Sequence, residues 1–131
     1  MKTVKQLALF LENRPGTLSK VCGALAEAKI NIYAISVSDA VDHAVVRMVV
    51  NDSQKALHLL GDHGVLVIER DVLMIEGSNK PGELASIAAK LAKHKINIEY
   101  AYSATPTNAS MGAMVLRVDN PRKAARFLKG H

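Results

Sequence analysis

Two motifs occur twice at one spacing, and this duplication constrains the fold more than any other feature. Asn13-Arg14-Pro15-Gly16-Thr17-Leu18 returns as Asn79-Lys80-Pro81-Gly82-Glu83-Leu84. Lys29-Ile30-Asn31-Ile32 returns as Lys95-Ile96-Asn97-Ile98. Both pairs keep an offset of 66 residues, from 13 to 79 and from 29 to 95. Separate motifs that hold one offset mark a tandem duplication of a single structural unit. The 131 residues therefore divide into copies 1–70 and 71–131, with Arg70-Asp71 as the expected junction.

Each copy reads β-α-β-β-α, and the first adds a further strand. Val4 to Leu11 is an apolar strand ahead of a Pro-Gly turn. Leu18, Val21, Cys22, Leu25 and Ala28 recur at helical spacing and form one stripe. Asn31 to Ser38 alternates, placing Ile32, Ala34 and Ser36 on one face and Tyr33, Ile35 and Val37 on the other. Ala44 to Val50 is β-branched and strand-like. Asp52 is positioned to cap a second helix that ends at Gly61 or Gly64. Val65 to Glu69 is the fourth strand.

The second copy repeats the order. Its strands fall at Val72 to Ile75, Ile98 to Ser103 and Ala113 to Val118, and Leu84, Ile87, Ala88 and Leu91 line its first helix. Asn120-Pro121 opens the last helix, where the missing proline N–H costs nothing. No fourth strand follows. The expected fold is α+β: two tandem ferredoxin-like βαββαβ units, antiparallel sheets with helices on one face, the second unit lacking its last strand. A unit this small is marginal alone, and the truncated copy leaves a sheet edge open. Phe10, Tyr33, Ile35 and Val37 also put apolar groups on both faces. Pairing through sheet edges or faces, as in a homodimer, answers both problems.

Composition narrows the function. There are 17 Lys+Arg against 12 Asp+Glu, a net charge of +5 that is not gathered into one run. Aromatics make up 4% of residues, with no Trp, and the strands lack the aromatic pattern of an RNA-binding plait, so a nucleic-acid partner is not expected. No apolar stretch reaches membrane-spanning length. The start has no signal-peptide pattern, and Cys22 is the single cysteine, which together point to the reducing cytoplasm. His43, His58, His63, His94 and His131 do not pair at metal-binding spacings and read as surface residues. Cys22 lies on the apolar stripe, as a small core residue would. Neither metal nor cofactor is expected. No nucleophile elbow, Walker loop or dinucleotide fingerprint is present, and no acid–base pair stands out.

The Pro-Gly loops carry the candidate chemistry. Pro15 holds Arg14 extended, and Gly16 permits a close backbone approach. The helix that follows begins with N–H groups lacking intrahelical partners, an environment that favours carboxylates or phosphates. Asn13 adds a donor and an acceptor, and Asn31 adds another pair at a strand start. Two carboxamides and bare N–H groups suit a zwitterion. The same two asparagines also suit plain capping and turning. Tyr100 and Tyr102 share one strand face, fit either to line a pocket or to pack.

These residues resemble the ACT domain, a regulatory module that binds amino acids. The likeness runs through Leu9 to Leu18 and Ile30 to Ile32, and again through Asn79 to Leu84 and Ile96 to Ile98. It is close to the ACT domain that feedback-regulates phosphoglycerate dehydrogenase. There the loop asparagine and the strand-start asparagine hold the effector serine between two ACT units. The resemblance implies those roles for Asn13 and Asn31, and by repeat for Asn79 and Asn97. It extends the site to Leu11, Arg14, Pro15, Gly16, Thr17, Leu18 and Ile32, and to Gly82, Glu83, Leu84 and Ile98. Leu11, and Gly77 in the second copy, stand where that relative has a histidine.

The resemblance implies a non-catalytic sensor that binds a small amino acid at ACT–ACT interfaces and modulates assembly or a partner enzyme of amino acid metabolism. Two alternatives stay open at this stage. One is an acylphosphatase-like hydrolase anchoring phosphate on Arg14; the other is a regulatory subunit that takes no ligand.

Overall fold

A computed structural model describes residues 1–130. The elements in order are β1 (Lys2–Glu12), α1 (Thr17–Glu27), β2 (Ile32–Asp39), β3 (His43–Val50), α2 (Ser53–Asp62), β4 (Leu66–Ser78), α3 (Glu83–Lys93), β5 (Ile98–Ala104), β6 (Met111–Val118) and α4 (Pro121–Phe127). Two compact units result. One is Lys5–Arg70; the other combines Met1–Val4 with Asp71–His131. Both β1 and β4 pass from one unit into the other. The strands expected at Val65 to Glu69 and Val72 to Ile75 are parts of one 13-residue strand, so the expected junction Arg70-Asp71 is extended chain within β4.

In the unit Lys5–Arg70 the strand order is β2-β3-β1-β4. Leu7, Leu9 and Leu11 of β1 lie opposite Met48, Val46 and Ala44 of β3. Residues paired across an antiparallel ladder share a face. That face meets Val21 and Leu25 of α1 and Ala56 and Leu60 of α2, each pair four residues apart, and one buried cluster forms. Asp52 caps α2 by accepting the Lys55 N–H at 3.1 Å. Gly61 lies inside α2, and Gly64, with φ 75°, turns the chain after it.

The second strand departs from simple alternation. Ile32 faces Val50 and Ala34 faces Val49, so β2 carries one extra residue against β3. The bulge moves Ile32 to the same face as Ile35 and Val37, which lie opposite Met48 and Val46. A one-residue slip exchanges the faces of all that follows. Ile35 and Val37, on this edge strand, remain 42% and 51% exposed.

The other unit has the order β1-β4-β6-β5. Leu73 and Ile75 of β4 face Leu116 and Met114 of β6, over a core completed by Ile87, Leu91, Ala124 and Leu128. The bulge recurs, with Ile98 opposite Val118 and Tyr100 opposite Arg117. Asn120 caps α4 through the Lys123 N–H at 3.0 Å, with Pro121 in its first turn. Among the described residues α4 is the last element, and no strand of this copy's own follows it. The place beside β4 is taken by Met1–Val4, and Met1 packs against this unit's core. The edge expected to stay open is closed from within the chain.

Both first helices end alike. Lys29 has φ 60° and Lys95 φ 58°, a left-handed geometry usually left to glycine. The Ile30 N–H reaches the Leu25 carbonyl and the Ile96 N–H the Leu91 carbonyl, both at 2.9 Å. A lysine from the next helix satisfies a further terminal carbonyl: Lys55 Nζ donates to Ala28 O at 2.7 Å, and Lys123 Nζ to His94 O at 2.9 Å. A left-handed non-glycine residue costs about 1–2 kcal/mol. Lys29→Gly is therefore expected to raise the urea midpoint, by about 1 kcal/mol in stability after the entropy cost of glycine. Leu25→Ala, at a fully buried site, is expected to lower stability by about 2–5 kcal/mol in the same titration.

Candidate functional site

The Pro-Gly loops join β1 to α1 and β4 to α3. Gly16 and Gly82 precede the helices with φ 91° and 92°, and no side chain caps either helix. A Cβ at Gly16 or Gly82 would meet no protein atom within 4 Å. The glycine is thus required by its left-handed backbone, and close approach of another part of the protein is not the reason for it. Pro15 and Pro81 are exposed, as are Leu18 and Leu84, at 37% and 51%.

The asparagines fall into two groups. Asn31 and Asn51 are latched by backbone and side chain: the Asn31 N–H donates to Asn51 Oδ1 at 2.9 Å, and the Asn51 N–H donates to the Asn31 carbonyl at 3.1 Å. Asn97 and Asp119 repeat this latch at 3.2 and 3.1 Å. In both cases the latch uses the main chain of the first asparagine, whose carboxamide stays exposed. Asn13 is exposed too, and only its backbone is engaged, by Asp42 O at 3.4 Å. Asn79 differs. Its Nδ2 donates to Ala109 O at 2.8 Å and its N–H to Ser110 O at 2.9 Å, so its side chain braces the loop before β6.

Several predicted site residues are placed otherwise than a single loop would place them. The Arg14 guanidinium is paired with Glu12 at 3.0 Å, both side chains largely exposed. Ile32 and Ile98 pack at the fringe of their cores. Leu11 is buried at the end of β1 and, with Thr17 at the start of α1, lines a cavity in which Val21 and Leu60 also take part. In the other unit Glu83 opens α3, folds over Gly77, and accepts the Ser78 hydroxyl hydrogen at 2.8 Å. Tyr100 and Tyr102 share a face opposite Arg117 and Val115, both half-buried.

Lys20 and His63, which also line the cavity, were not legible from the sequence. They lie 43 positions apart, on elements that only the fold brings together. Of the histidines, His43, His58 and His63 are exposed, whereas His94 is half-buried and stacks on Phe127 with ring centroids 3.4 Å apart. His131 lies outside the described residues. Among the described residues no group of three metal-ligating side chains converges, and no helix is long and apolar enough to cross a membrane.

The profile of the ACT domain pair matches residues 2–129. The solved structure of protein BT0572 from Bacteroides thetaiotaomicron is similar with a TM-score of 0.90 and 35% identity, over 97% of this chain and 87% of that one. The ligand-free regulatory subunit of aspartate kinase from Thermus thermophilus is similar at TM-score 0.68 and 22% identity, over 96% and 94%. The corresponding subunit from Thermus flavus gives 0.65 and 24%, over 93% and 88%. The two kinase subunits share the fold. No curated protein sequence matches.

Cys22, half-buried on α1, has its thiol pushed up by desolvation. Iodoacetamide at neutral pH is expected to alkylate it more slowly in the native chain than in the urea-unfolded chain. Because the folded state holds the thiol proton more tightly, Cys22's contribution to stability is full below the ordinary thiol range. It declines as pH rises through that range.

Proposed function

The chain belongs to the family of ACT domain pairs, and on that premise we propose that it is a non-catalytic regulatory protein that binds a small amino acid at its Pro-Gly loops. One observation carries this reading: Asn13 and Asn31 hold their backbones in place while their carboxamides stay exposed. A carboxamide offers a donor and an acceptor, and a zwitterion needs both. The bare N–H groups at the start of α1 suit its carboxylate. Asn13, Arg14, Pro15, Gly16, Thr17 and Asn31 form the principal candidate site. Asn97, Gly82, Leu84 and Ile98 form the second, where Asn79 is already committed to Ala109.

A second copy of the chain supplies the facing ACT unit. Supporting this, the edge strand β2 exposes Tyr33, Ile35 and Val37. Ligand held in common by two units favours one arrangement over another, and that difference in affinity is what a switch requires. The protein works in the cytoplasm beside an enzyme of amino acid metabolism. Its likeness in fold to aspartate kinase regulatory subunits supports such a partner. Nothing specific favours hydrolysis, since the Arg14 guanidinium is engaged by the Glu12 carboxylate.

Thermal melts against each of the twenty amino acids test this. At a ligand concentration 100-fold above Kd the stabilisation is expected to be about 2.7 kcal/mol. Asn13→Ala and Asn31→Ala are expected to remove that shift while the unliganded melting temperature stays nearly unchanged. A shift retained in both variants overturns the site, and no shift with any amino acid overturns the function.

A further inference from the structure

Within the unit Lys5–Arg70 a cavity of about 210 Å³ opens between α1 and α2. Its apolar wall comes from Leu11, Val21 and Leu60, and its polar groups are Thr17, Lys20 and His63. No Asp or Glu lines it. An apolar cavity of about 150 Å³ admits benzene, so this one has room for a five- or six-carbon molecule. Lys20 brings an ammonium group with three donors and no acceptor, and His63 adds ring nitrogens. An alkyl body with one anionic end matches both halves of the lining.

The other copy supplies an independent observation. At the 66-residue offset, Leu11, Thr17 and Lys20 correspond to Gly77, Glu83 and Ser86. There the Glu83 side chain lies over Gly77, its Cγ only 2.9 Å from where a Cβ at 77 would stand. Its Oε2 accepts from the Ser78 hydroxyl at 2.8 Å. One copy thus covers this position with a short alkyl carboxylate of its own. The other has exchanged that group for Leu11, Thr17 and a lysine, and keeps a cavity.

We infer that the cavity between α1 and α2 is a binding site for a small aliphatic carboxylate. The alkyl group packs on Val21 and Leu60, and the carboxylate meets Lys20 and His63. The site lies wholly inside one unit and shares Thr17 with the proposed amino-acid site, but it uses neither Asn13 nor Asn31, so the two readings rest on different polar groups.

Isothermal titration with sodium isovalerate tests it, with acetate and 3-methylbutan-1-ol as probes lacking the alkyl body and the charge. Isovalerate is expected to bind one per chain, and both controls at least about ten-fold more weakly, a difference of about 1.4 kcal/mol. Lys20→Met is expected to weaken isovalerate by a similar factor. Ala24→Leu, which fills the cavity from α1, is expected to abolish it. Failure of isovalerate to bind at millimolar concentration overturns the inference, and so does undiminished affinity in Ala24→Leu or in Lys20→Met. Should Ala24→Leu unfold, which a thermal melt reveals, Lys20→Met and the two control probes decide. Any thermal response to amino acids is expected to persist in Ala24→Leu, so the two readings fail separately.

Discussion

A strand of eleven residues, β1, is the element on which the rest depends. Among the described residues the second copy has three strands of its own, and three strands alone leave one row of backbone N–H and C=O groups without a ladder. Met1–Val4 fills that row, while Lys5 onward serves the first copy. Each unit thereby attains the four strands that two helices can cover. Among the described residues, β1 and β4 each contribute residues to both units.

Much of this was legible beforehand. The repeat fixes the element order, and helix stripes such as Val21 with Leu25 name the core. Asp52 and Asn120-Pro121 mark helix starts by chemistry that works within one turn. Other features leave little mark on the sequence. The expected junction Arg70-Asp71 lies inside the continuous strand β4, where charge is tolerated on exposed positions. The bulges opposite Val49–Val50 and Arg117–Val118 leave no trace in a pattern of period two. Lys29 and Lys95 adopt a glycine geometry without being glycine, because the hydrogen bonds around them impose it. The cavity was not legible, since its walls come from elements far apart in the chain.

Comparing the copies separates what the fold needs from what it does not. Both copies keep the left-handed glycine before the first helix and the left-handed lysine after it. Both keep the asparagine backbone latch, the side-chain cap of the second helix and the lysine that meets the first helix end. These are backbone demands, and a duplicated fold repeats them. The differences fall on side chains. The Asn79 carboxamide donates to the Ala109 carbonyl, whereas Asn13 is engaged through its backbone N–H, and Glu83 covers Gly77 where Thr17 and Leu11 leave space.

The latches at Asn31 and Asn97 belong to the repeated backbone features. A turn that only needed capping would be served by the side chain of the asparagine itself. Here the capping oxygen comes from Asn51 or Asp119, twenty or more residues onward, and the main chain of Asn31 or Asn97 receives it. The local structure is therefore held without the carboxamide of Asn31 or Asn97. The proposed site draws on side chains of this kind, left exposed while their backbones are held. In copy one the same holds for Asn13, whose backbone alone is engaged. In copy two the partner asparagine has been drawn into the scaffold. For the proposed amino-acid role this asymmetry favours the first copy, although both copies share the same backbone latch.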